Sequence, residues 1–281
     1  MSNSVLLKSS IAKKYWMAFT GLFLCLFLVG HLLGNLQLFA AGEEGRRAFN
    51  EYAHFMQTNP FIKVMSYLTY FSILFHAIDG IMLAVQNKKA RPVAYAMSNA
   101  KANSSTASRK MALLGSIILI FIATHMVNFW AKMHFGGLGL HKIELSIPES
   151  EQKQELYVTT AGSFVSPEQV EIKHESHFYD KQFGLKLGEG YKDLHSNVIA
   201  FFSGKDIHGV KGNDMAWLAV LLYTVSMAVL AFHLTHGFAA AFQTLGLRHP
   251  KYTPIIKNIG TAFSILVPAL FAIIPIYIFF S

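Results

Sequence analysis

A chain of 281 residues in which 53% are hydrophobic and 24 are phenylalanine carries more apolar surface than a soluble domain of this length needs for its core. The net charge of +8 comes from short basic segments between apolar runs, so it reports membrane topology and requires no nucleic-acid partner. The single cysteine, Cys25, lies inside an apolar run and excludes an intrachain disulfide and a CxxC redox or zinc motif.

Residues 1–15 form a polar lead with Lys8, Lys13 and Lys14, in which Ser9 and Ser10 can cap a helix. A spanning helix needs about 20 mostly apolar residues, and five runs qualify, at 16–40, 61–86, 111–133, 215–242 and 257–280. The first is too long for a signal-peptide core and lacks a small-residue cleavage site, so it is expected to stay in the membrane. The connection after it balances Arg46, Arg47 and Lys63 against Glu43, Glu44 and Glu51, and Asn59-Pro60 marks the start of the second helix. The next connection holds Lys88, Lys89, Arg91, Lys101, Arg109 and Lys110 without an acid, and 99–108 within it is a polar Ser/Ala/Asn linker. The fourth connection carries Arg248, Lys251 and Lys257, again without an acid. This alternation predicts a cytoplasmic N-terminus and an extracytoplasmic C-terminus. The inward basic face suits an acidic partner or anionic membrane lipid.

The expected fold class is therefore all-α, a polytopic membrane protein of five transmembrane helices forming one membrane domain over 1–281. Residues 134–213, between the third and fourth helices, are longer than a bundle loop usually is and read as an extracytoplasmic insertion or cap. This insertion contains Glu149, Glu151, Lys153 and Glu155, alternating runs such as Leu156-Tyr-Val-Thr-Thr160, and a candidate helix over 194–202. Its histidines His134, His141, His174, His177, His195 and His208 have no compact metal-ligand spacing and are expected to be solvated.

Four apolar runs each carry a histidine at a similar depth. At about 1.5 Å per residue, His31 lies roughly 22 Å along the first helix, in the outer half of the membrane. The second helix runs inward, which places His76 in the inner half; His125 on the third is outer again, and His233 on the fourth is inner. The arithmetic pairs His31 with His125 and His76 with His233. Two stacked bis-histidine sites are what a transmembrane electron path through two b-type haems requires. With Cys25 alone in the chain, neither haem would be attached through cysteine. Interhelical hydrogen bonding is the competing explanation for any one of these histidines, but four of them matched in depth favour function, because polar groups in hydrocarbon are costly. Gly80 and Gly237 follow His76 and His233 by four residues, where either a flat macrocycle or a close helix packs against them. Asp79, three residues after His76, is the one acid inside a helix; it suits either a hydrogen-bond network at the inner haem edge or snorkelling to the interface.

Val29-Gly-His-Leu-Leu-Gly-Asn-Leu-Gln37, Tyr52-Ala-His-Phe-Met56, Leu74-Phe-His-Ala-Ile-Asp-Gly80, Ala123-Thr-His125 and Phe232-His-Leu-Thr-His-Gly-Phe238, with Gln243-Thr-Leu-Gly-Leu-Arg-His-Pro-Lys-Tyr252, carry a resemblance to a known family. They resemble the single-subunit, five-helix, dihaem cytochrome b anchor of succinate:menaquinone oxidoreductases and quinol:fumarate reductases. The resemblance runs through the first four helices, the expected haem-binding bundle. It implies two haem b groups ligated by His31, His76, His125 and His233, with a flavoprotein and an iron-sulfur subunit on the cytoplasmic side of a bacterial inner membrane. His236 competes as the ligand on the fourth helix; members of the family can carry Asn there while keeping the earlier histidine, which favours His233. Within this resemblance the chain's own chemistry is with menaquinone. Asn50, His54 and Gln57, with Asn35 and Gln37 behind them, are the candidate quinone residues; helix capping and interface packing account for each of them equally well. Some fumarate-reductase relatives have a glutamate two residues before the last ligand; here that position is Ala231, which favours succinate oxidation over the reverse direction. Two readings from other classes are a transporter, for which no internal repeat is visible, and a haem-free structural anchor.

Overall fold

The computed structural model describes residues 9–90, 92–93, 99, 102, 104–146 and 153–281. Lys8, Arg91 and Lys101 of the basic segments and Glu149 and Glu151 of the insertion lie outside the described residues. Five helical segments are long and apolar enough to cross a membrane: Ser10–Phe39, Pro60–Lys89, Met111–Phe135, Ala216–Thr244 and Tyr252–Phe280. They leave large apolar side chains such as Phe19, Phe61, Ile120 and Phe232 exposed, as hydrocarbon permits and water does not.

In chain order, α1 (Ser10–Asn35) tightens into a 3₁₀ turn at Leu36–Phe39, and α2 (Gly42–Thr58) follows. From the sequence this stretch reads as a connection, with Arg46, Arg47 and Lys63 balanced against Glu43, Glu44 and Glu51. It is helical because Glu43 and Glu44 complement the N-terminal dipole, while Phe49 and Asn50 fall on a buried face. α3 (Pro60–Lys89) starts with proline at its first position, where no amide is needed, and Asn59 Oδ1 accepts from the amides of Phe61 (2.9 Å) and Ile62 (3.2 Å). α4 (Met111–His125) widens into a π turn at Met126–Trp130 before α5 (Ala131–Phe135).

The insertion adds strands to this helical chain. β1 (Lys142–Ser146), β2 (Lys153–Val158) and β3 (Phe164–Val165) form one antiparallel sheet; β4 (Val170–Lys173), β5 (His177–Asp180) and β6 (Lys186–Glu189) form another. Bridges Leu140↔Lys192 and Thr159↔Gly190 join the flanks. Phe178, fully buried, stacks on Tyr157 at 5.0 Å, and a side chain at Gly190 would collide with its ring. α6 (Leu194–Ser203) is capped by Asp193, whose Oδ1 accepts from Ser196 N at 3.1 Å, and ends at left-handed Gly204. The last two spans are α7 (Ala216–Thr244) and α8 (Tyr252–Phe280).

The chain divides into two compact units. The first gathers the described chain up to Leu33 with Val64–Ala123 and Leu222–Ile273; the second gathers Gly34–Lys63, Thr124–Leu221 and Ile274–Ser281.

Candidate functional site

In the first unit α1, α3, α4 and α7 meet around two histidines. His76 of α3 and His233 of α7 face each other with ring centroids 6.2 Å apart and planes at 70°. An imidazole nitrogen binds a metal at about 2 Å, so two rings ligating one ion from opposite sides have centroids about 6 Å apart. Gly21 makes room for one ring, since a Cβ there would stand 3.1 Å from His76 Cε1, whereas one on Gly115 would stand 3.6 Å from His233 Cε1, an ordinary van der Waals contact. Thr20 Oγ1 donates to the Trp16 carbonyl at 2.9 Å and lies 3.3 Å from His76 Nδ1. With its own proton used, that hydroxyl accepts from Nδ1–H, which leaves the Nε2 lone pair of His76 as the ligand. Among the described residues no group of three or more His, Cys, Asp or Glu could hold a metal ion.

His31, also in this unit, is stacked on Phe27 (5.3 Å, 13°) and lies against Phe271 of α8 (5.5 Å, 35°). His236, one turn beyond His233, makes no hydrogen bond among the described residues. Asp79 is buried, with Lys13 and His76 as its electrostatic neighbours. Gly80 and Gly237 are not tightly approached: a Cβ at Gly80 meets nothing within 4 Å, and one at Gly237 meets only the Met111 methyl at 3.9 Å.

The second unit holds His125, the last residue before the π turn, with Phe129 at 5.4 Å. A π turn inside a spanning helix is uncommon and is often found at functional sites. Nothing in the local sequence announces it. This unit also holds the candidate quinone residues. His54 is half-buried with its ring 5.6 Å from Tyr191, and Gln57 is half-buried on the same helix. Asn35 ends α1, and Gln37 lies in the 3₁₀ turn. A Cβ on Gly34 would enter the Tyr52 ring, so that glycine is what lets α2 fold back against the end of α1.

Asn50 is the centre of a buried polar network that fastens α2 to the insertion. Its Oδ1 accepts from His195 N at 2.9 Å, which fixes the amide orientation. Its Nδ2 donates to Asp193 Oδ1 at 2.8 Å and lies 3.0 Å from His141 Nδ1. Because Nδ2 only donates, His141 accepts at Nδ1 and carries its proton on Nε2, which stands 2.7 Å from Glu43 Oε1. Asp193 Oδ2 accepts from Arg46 Nε at 3.1 Å and Nη2 at 2.5 Å, and Arg46 also donates to Glu43 (2.9 Å) and to the Lys142 carbonyl (2.9 Å). Burial by itself would raise the Asp193 carboxyl, but the bonds from Arg46, Asn50 and Ser196 overcome it and hold the group at about 2. Burial followed by the Arg46 cation pushes His141 down, and burial brings His195 to about 4. Both imidazoles are neutral at pH 7.

The expectation that the insertion's histidines are solvated is therefore corrected for two of them. His141 is fully buried, and both ring nitrogens of His195 are buried without a hydrogen-bond partner; His134, His174 and His208 are exposed, and His177 is half-buried. The partners of His141 and His195 lie far along the chain, beyond any local pattern. No family model matches the chain, and no curated protein or solved structure was found to be significantly similar to it.

Proposed function

We propose that the chain is the cytochrome b membrane anchor of a succinate:menaquinone oxidoreductase, linking cytoplasmic flavoprotein and iron-sulfur subunits to menaquinone in a bacterial inner membrane. The observation that carries the reading is the facing pair His76 and His233 inside apolar helices, at the separation expected of two ligands on one metal. A haem b held by two histidines would supply single-electron transfer there. The residues that would hold one haem are His76 and His233; His31 and His125 are the further ligands that the resemblance implies. Thr20 would keep His76 in the tautomer that ligates, and Gly21 gives its ring space. Asn50, with its amide committed to His195, Asp193 and His141, positions α2, which leaves His54 and Gln57 as the nearer candidates for hydrogen bonds to a quinone carbonyl. The basic ends at Lys13 and Lys14, Lys88 and Lys89, and Arg248 and Lys251 suit an acidic face on the partner subunits.

The test is a reduced-minus-oxidised spectrum of the purified membrane protein with a pyridine haemochrome assay. A b-type α-band and two haems per chain are expected. A chain purified without haem would refute the reading in favour of a structural anchor or a transporter.

A further inference from the structure

One cation in the second unit has no counter-charge. Lys132 of α5 is half-buried and donates to Asn197 Oδ1 of α6 at 3.0 Å, but it makes no ion pair among the described residues. Asn197 is 3% exposed, and its Nδ2 is buried with no hydrogen-bond partner. The amide orientation is not in doubt, because turning it would point its NH₂ at the lysine ammonium. A buried amide donor without an acceptor is costly, and a partly buried ammonium without an anion is more so. An ammonium without an anion beside an amide donor without an acceptor describes a site for an anionic oxygen ligand.

The contacts along α4 and α5 say which anion reaches it. His125, Phe129 and Lys132 follow one another through the π turn as a stripe set by contacts rather than by α-helical spacing. His125 touches Phe129, Phe129 lies 5.2 Å from Phe201 and 5.9 Å from Phe202 of α6, and Lys132 bonds Asn197 on the same helix. The stripe therefore runs from the histidine to the cation under the cover of α6. Lys132 lies at most about 10 Å further along the axis than His125, the value at 1.5 Å per residue, because the π turn shortens the rise. That is the scale on which the carboxylate arms of a haem extend from its iron.

We propose that Lys132 and Asn197 form a carboxylate clamp that holds a propionate of the haem ligated at His125, with α6 of the insertion supplying half of it. The proposal rests on the dihaem reading. A propionate and a free anion such as phosphate share the chemistry that the site recognises. The propionate fits better because it is tethered at the distance the stripe spans, and a tethered ligand binds at high effective concentration.

The experiment is redox titration of the purified full-length protein and of Lys132→Met, Asn197→Leu and Lys132→Arg, with haem per chain measured in each. Lys132→Met keeps the apolar stem and removes the charge. A cation near the macrocycle favours the reduced form, so the potential of the His125 haem should fall in Lys132→Met and Asn197→Leu, that of the other haem should not move, and Lys132→Arg should stay near wild type. If Lys132→Met fails to assemble, the propionate-bending band in the resonance Raman spectrum of the wild type reports the same contact, and it should shift in Lys132→Arg. Two haems with unmoved potentials in Lys132→Met, or an unshifted bending band, overturn the clamp and leave the dihaem reading standing. A wild-type potential that follows added phosphate assigns the site to a free anion and overturns the propionate assignment. A wild-type chain without haem overturns the dihaem reading itself.

Discussion

Replacing Asp193 with alanine should detach the insertion from α2 without disturbing the spans. The carboxylate receives two bonds from Arg46, one from Asn50 and one from the amide of Ser196. Arg46 is 2% exposed, so removing its partner leaves a buried cation, a change that costs about 3–5 kcal/mol when nothing else compensates. Glu43 stays within 2.9 Å of Arg46, but its side chain is 45% exposed, so it offsets only part of this loss. Loss of the α6 N-cap adds about 1 kcal/mol, although the two effects share one residue and do not simply sum. We take about 3 kcal/mol as the expected destabilisation of the α2–α6 contact, which is on the order of a hundredfold in the local opening equilibrium. Amide hydrogen exchange of the protein in detergent or nanodiscs measures it directly: α6 and the amides around His141 should exchange about a hundredfold faster, while α3 and α7 keep their protection. Glu144→Gln, which breaks only the exposed pair with Lys153, is the control and should have almost no effect. If the α6 amides of Asp193→Ala exchange within about threefold of wild type, the network does not hold the insertion in place and the stated energetics are wrong.

Acid should weaken the same contact. His195 has an ordinary value near 6.5 when undocked and about 4 when docked, so its stabilisation is complete above about 6.5 and is lost as pH falls towards 4; at pH 5 the loss is about 2 kcal/mol. His141 shifts in the same direction, whereas Asp193 stays ionised throughout, so exchange of α6 corrected for intrinsic rates should rise between pH 7 and pH 5, and His195→Phe should flatten that slope. Gly34→Val would drive a side chain into the Tyr52 ring; we expect a loss of about 1–3 kcal/mol, read as a lower thermal midpoint, with Gly34→Ala losing less. Substituting His54 or Gln57 should slow menaquinone turnover by the whole complex while dye-linked succinate oxidation persists, and normal quinone turnover in both variants would remove them from the site.

The spans were legible because a run of about 20 apolar residues has few other solutions. Their ends were less so: α1 begins at Ser10, with Lys13 and Lys14 already helical, and α8 begins at Tyr252, ahead of Pro254. α2 was hidden by its charges, since Arg46 and Glu43 read as solvent-facing loop until the insertion that covers them is folded. Its signal was present in the acidic first turn and in Phe49, Tyr52, Ala53 and Met56 at helical spacing. In the candidate site, depth along the helices paired His76 with His233 and His31 with His125, and the structure brings the rings of the first pair to 6.2 Å. The glycine that gives the His76 ring its space is Gly21, on another helix, whereas Gly80, four residues after His76, has nothing near it and Gly237 has only the Met111 methyl at 3.9 Å. Partners such as Arg46 and Asp193, 147 residues apart, and the donors Lys132 and Asn197, 65 apart, are set by tertiary folding, and no local pattern encodes them.

The central claim is that His76 and His233 ligate one haem while His236 does not. Haem per chain, measured by pyridine haemochrome on purified wild type, His76→Ala, His233→Ala and His236→Ala, tests it most directly. The account predicts two haems in the wild type and in His236→Ala, and close to one in the other two variants. Two haems retained in His233→Ala with one lost in His236→Ala would contradict the assignment, and no haem in the wild type would contradict the account as a whole.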